Sequence, residues 1–84
     1  MPRYVSLHAL GCLPKPAFAS LCAKLFASPQ MRRALAGQIG EKLLVEFEAA
    51  DAADAHGWLR ANKLTPLWLL RIDYESADGT IREL

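Results

Sequence analysis

A chain of 84 residues makes one domain that buries only roughly 60–65% of its unfolded surface, a thin margin that association would widen. An apolar fraction of 52% with 23% charged residues of both signs excludes disorder. Ten Lys and Arg against nine Asp and Glu leave a formal charge of +1, so no global field draws the chain to nucleic acid or an anionic membrane.

Met1 to Tyr4 run straight into an alternating stretch without an apolar leader, and no apolar run approaches the ~20 residues of a membrane span. A cytoplasmic location is expected. Cys12 and Cys22 form neither a C-x-x-C pair nor a framework, which fits a reducing compartment without a disulfide.

In chain order, residues 3 to 10 read as a first strand, with Val5, Leu7 and Ala9 on one side and Tyr4, Ser6 and His8 on the other. The segment from Gly11 to Pro16 ends it and places Pro16 in the first turn of a helix, where its missing N–H costs nothing. Phe18, Leu21, Cys22, Leu25 and Phe26 then form the apolar stripe of that helix. Ser28-Pro29 looks like the cap and first residue of a second short helix through about Ala36, because Gln, Met, Arg and Ala favour helix over strand. The competing reading makes residues 30–36 a strand, with Gly37 to Gly40 as a hairpin loop.

Residues 42 to 49 alternate Leu43, Val45 and Phe47 with Leu44, Glu46 and Glu48, a clear strand. Asp51 caps the next helix, with Asp54 suited to its positive end, and Gly57 lies inside it. Pro66 to Glu75 is the strongest strand signal, with Trp68, Leu70, Ile72 and Tyr74 expected on the core face and Leu67, Leu69, Arg71, Asp73 and Glu75 on the other. Ser76 to Gly79 is a turn, leading to a short returning strand over 80–84.

These elements make 1–84 a single compact α+β domain: a two-layer sandwich of one four-stranded sheet, mixed or antiparallel, with two main helices on one face. In the competing reading of residues 30–36 the order is β-α-β-β-α-β with a tail, the ferredoxin-like arrangement. That arrangement serves too many activities to imply one.

No chemical motif emerges. The soft ligands His8, Cys12, Cys22 and His56 lack paired metal-site spacing, so no metal or other cofactor is expected. Glu46 and Glu48 suit a solvated strand face, and Asp51 and Asp54 a helix start. Lys24, Arg32, Arg33, Lys42, Arg60 and Lys63 are scattered, without the interleaved aromatics of single-strand binders. No serine sits in a nucleophile elbow, and no catalytic residue is assigned.

The remaining constellation is the sheet face away from the helices, where strand parity places Tyr4, His8, Leu44, Glu46, Leu67, Leu69 and Arg71. The expected function is a non-enzymatic protein-interaction module, acting through that face or an edge strand on a protein partner or on a second copy as a homodimer. The alternative is a small enzyme or ligand-binding protein with a cavity at a dimer interface, using His8, Glu46 and Arg71.

Overall fold

The computed structural model describes residues 1–84. Its main elements are β1 (Arg3–Ala9), α1 (Lys15–Leu25), β2 (Met31–Gly37), β3 (Lys42–Glu48), α2 (Ala52–Ala61) and β4 (Trp68–Ile72), followed by a small hairpin of β5 (Tyr74–Glu75) and β6 (Arg82–Glu83). The four long strands form one antiparallel sheet in the order β2-β3-β1-β4. Both helices cover one face. The element order is the β-α-β-β-α-β of the ferredoxin-like arrangement, and no helix is long and apolar enough to cross a membrane.

Two expectations are corrected by strand pairing. Residues 30–36 are not a helix: Met31 to Gly37 pair along β3, with a bulge between Met31 and Arg33. Helix propensity here is worth a few tenths of a kcal/mol per residue, less than a continuous backbone ladder supplies. Ser28-Pro29 opens a β-turn, in which the Met31 amide donates to the Ser28 carbonyl at 3.3 Å and Pro29 takes the position that suits its fixed φ. The returning strand over 80–84 does not join the sheet either. The long strand breaks at Asp73, and Tyr74 and Glu75 pair only with Glu83 and Arg82.

The core lies between the helices and the sheet. Tyr4, Leu43, Val45 and Phe47 supply its floor, and Leu25, Ala55, Trp58 and Leu59 its roof. Phe47 stacks on Trp58 with ring centroids 4.4 Å apart and on Tyr4 at 6.1 Å, the first at the close edge of the favourable range for aromatic pairs and the second inside it. The Trp58 indole N–H donates to Ser28 Oγ at 3.0 Å, so this buried ring leaves no polar group unpaired and ties α2 to the turn before β2. Asp51 caps α2 as expected, its carboxylate accepting from the Asp54 amide at 2.8 Å, while Asp54 accepts from the Ala50 amide at 2.9 Å. The turn from β2 to β3 takes Gln38, Ile39 and Gly40 through positive φ. A Cβ on Gly40 would lie 2.3 Å from the Leu13 carbonyl oxygen, so only glycine lets the turn sit against that loop.

Candidate interaction face

Cross-strand register fixes which side chains share a face. Tyr4 opposes Phe47, Ser6 opposes Val45 and His8 opposes Leu43, and these side chains are buried under the helices. On β4, Leu69 opposes Ser6 and Arg71 opposes Tyr4, which puts them on the same side. The expected faces of β1 and β4 are therefore inverted, whereas that of β3 holds.

Of the seven residues expected on the open face, Leu44 and Glu46 are there. Tyr4 and His8 are core, Leu69 packs partly buried against the core, and Arg71 lies on the helix side near the sheet edge, ion-paired with Asp73 at 3.3 Å. Leu67 precedes β4, exposed, with its amide donating to the Leu7 carbonyl at 2.7 Å.

The open face is built in rows across the four strands. One row runs Leu35, Leu44, Leu7, Trp68 and is apolar from edge to edge. The next runs Arg33, Glu46, Val5, Leu70, charged on one half and apolar on the other. The last brings Glu48, Arg3 and Ile72 side by side. Leu35, Trp68 and Leu70 are 46%, 45% and 57% exposed; Val5, Leu7, Leu44 and Ile72 are half-buried by their neighbours alone. Arg33 donates to Glu46 at 2.6 Å, which holds the guanidinium above its ordinary pKa, and Arg32 pairs with Glu48. Two of the arginines of the face are thus matched by glutamates beside the apolar band.

Val5, Leu7, Leu35, Trp68, Leu70 and Ile72 were not expected here. For Trp68 and Leu70 the signal in the sequence is that residues 67–70 are apolar at every position, as in a strand with apolar demands on both faces.

The buried pair on β1 is chemically definite. His8 Nδ1 lies 3.0 Å from the Thr65 carbonyl, which only accepts, so Nδ1 carries the proton and Nε2 accepts from the Ser6 hydroxyl at 2.7 Å. Burial pushes the His8 pKa down, opposed by the bond to Thr65. Both side chains have zero exposure, so this serine–histidine pair meets no substrate; it ties the central strand to the loop after α2. Glu46 points to the opposite face from His8 and Arg71, so the three residues of the enzymatic alternative do not converge. Cys12 and Cys22 are free, and no three His, Cys, Asp or Glu side chains gather as metal ligands would.

No protein-family model matches the chain, and neither a curated protein nor a solved structure matches it.

Proposed function

We propose that this chain is a non-enzymatic interaction module that self-associates by packing the open face of its sheet against that of a second copy. The observation that carries the reading is the edge-to-edge apolar row Leu35, Leu44, Leu7, Trp68, extended by Val5 and Leu70. The free chain exposes 5447 Å², against about 5,000 Å² for a compact monomer of its mass. The apolar side chains of the open face make a patch on the order of a few hundred Å², the size that marks an interaction surface on a monomer. A stable interface buries roughly 1,200–2,000 Å² in total, so the polar rims take part along with the apolar band.

The charges support a like partner. Arg33 with Glu46 and Arg32 with Glu48 present both signs together, so two copies meet without a repelling field. Sheets packed face to face lie about 10 Å apart, a spacing that leucine and tryptophan side chains fill. Two free thiols, one of them exposed, suit a reducing, cytoplasmic compartment.

The test is sedimentation of the wild type and of Leu70→Glu over a dilution series, with circular dichroism to monitor folding. The wild type is expected to dimerise at micromolar concentration, and the variant to remain a folded monomer, because an unpaired carboxylate is costly inside an apolar interface. A wild type that stays monomeric throughout, or a variant that dimerises unchanged, removes this face as the site of self-association.

A further inference from the structure

The sheet has two edges, β2 and β4. An edge strand turns alternate N–H and C=O groups away from its partner, where another extended chain can pair with them in register. Natural edges are guarded by charge and by bulges. On β2 these guards are confined to the start of the strand, where Arg32 and Arg33 sit at the bulge, and Ala34 to Gly37 carry neither.

Beside this unguarded half lies a groove of about 580 Å³, within the roughly 300–1,000 Å³ of ligand sites. Ala34 and Ala36 oppose Val45 and Leu43 on the helix side, and Leu35 opposes Leu44 on the open face. All three nevertheless border the groove, so it runs along the free edge rather than over the sheet. Phe18 of α1 and Leu13 line it as well, and it is closed where Gly40 packs on the Leu13 backbone. The methyl groups of Ala34 and Ala36 are too short to fill it.

Ile39 is an independent pointer to an occupant. It is 96% exposed and held at φ 57°, a conformation that a β-branched residue adopts only at a cost. No contact within the chain offsets that cost, because the side chain stands in water. It borders the groove, and strained residues of this kind gather at ligand clamps. Charge narrows the choice further. Lys15 is the only charged residue on the groove and joins no ion pair. β2 of a second copy fits poorly, since it offers this side only Ala34 and Ala36 and brings more arginine.

We propose that the edge from Ala34 to Gly37 takes an extended, acidic segment of a partner protein as an added strand. One large apolar side chain enters the groove between Phe18 and Ile39, and a carboxylate meets Lys15. This goes beyond self-association, whose face it borders only at Leu35. Short random peptides displayed on phage are selected on the immobilised full chain, as wild type and as Ile39→Asp, Ala36→Trp and Leu70→Glu. Enriched peptides are synthesised for anisotropy and amide-exchange measurements.

The wild type is expected to enrich sequences with large apolar residues at alternate positions beside Asp or Glu, and the bound peptide to slow amides within Ala34 to Gly37. Ile39→Asp and Ala36→Trp, both at exposed positions, are expected to weaken binding about tenfold or more, as loss of an interface anchor does, with unchanged circular dichroism spectra. If one of them alters the spectrum, the other decides. Leu70→Glu, at the opposite edge, is expected to bind as the wild type does. Selection that enriches no peptide over an unrelated protein overturns the proposal, as does a peptide indifferent to both groove variants or one that slows no amide of the β2 edge. A wild-type dimer that Ala36→Trp dissociates, with no peptide selected, gives the edge to β2 of a second copy instead. A chain that never dimerises yet selects such peptides supports the edge site and removes only the face-to-face reading.

Discussion

The inverted register of β4 makes a sharp prediction about neighbouring leucines. Leu69 opposes Ser6 and packs against the core, whereas Leu70 opposes Val5 on the open face and is 57% exposed. Trimming leucine to alanine removes roughly three carbons, each worth about 0.8 kcal/mol when fully buried. For Leu70, with less than half of its surface covered, that gives about 1 kcal/mol in the monomer. Leu69→Ala removes the same carbons from between strand and helix and leaves a partial cavity, so it should cost about 2–3 kcal/mol, the lower part of the range for such changes. Urea melts at a concentration well below dimerisation should therefore rank Leu69→Ala as the more damaging. At high concentration the gap should narrow, because Leu70→Ala also forfeits the stabilisation that association lends the folded state. If Leu70→Ala is the more damaging in dilute solution, β4 pairs with β1 one residue away from the register that sets Leu69 opposite Ser6, and the proposed face is turned inward.

Gly57 lies within α2, and nothing stands within 4 Å of where its Cβ would be, so Gly57→Ala should stabilise the fold by about 0.5–1 kcal/mol, read as a higher urea midpoint at unchanged slope. The lowered pKa of buried His8 sets a pH dependence. Above the unfolded value of about 6.5 both states are neutral at this site and stability is complete. Below it the unfolded chain takes up a proton that the folded chain refuses until its lower pKa, so stability falls as pH drops through that window. Melts from pH 7.5 to 5 should show this slope in the wild type and a flatter one in His8→Leu, and equal slopes would refute the assignment.

How far the fold could be read in advance depended on whether a strand's two faces differ in chemistry. On β3, Leu43, Val45 and Phe47 contrast with Lys42, Glu46 and Glu48, and parity alone identifies the buried side. On β1 parity misleads, because the side with a phenol, a hydroxyl and an imidazole is the inner one. Ser6 and His8 satisfy each other and the Thr65 carbonyl, and Tyr4 stacks on Phe47, so their polar atoms cost little under the helices. On β4 the run Leu67 to Leu70 is apolar throughout, and its register comes from pairing with β1, which no local pattern reveals. The open face was thus recognisable as a place of interest from Leu44 and Glu46, but its membership on β1 and β4 was a two-way choice that only long-range pairing resolves. For β2, the glycines at 37 and 40 were the hairpin signal, set against the helical preference of Arg32 to Ala36.

The placement of β1 at the centre of the sheet also imposes an order on folding. Within the four-stranded sheet only β2 and β3 are joined by a short turn, so theirs is the one pairing there that closes a small loop. Arg3 must find Glu48 on one side and Ile72 on the other, contacts so distant along the chain that loop-closure entropy is spent before they return anything. A nascent chain therefore holds its first strand unpaired on both edges until β3, and then β4, have been made. Through that interval Val5 and Leu7 stand in water with no neighbouring strand to shield them.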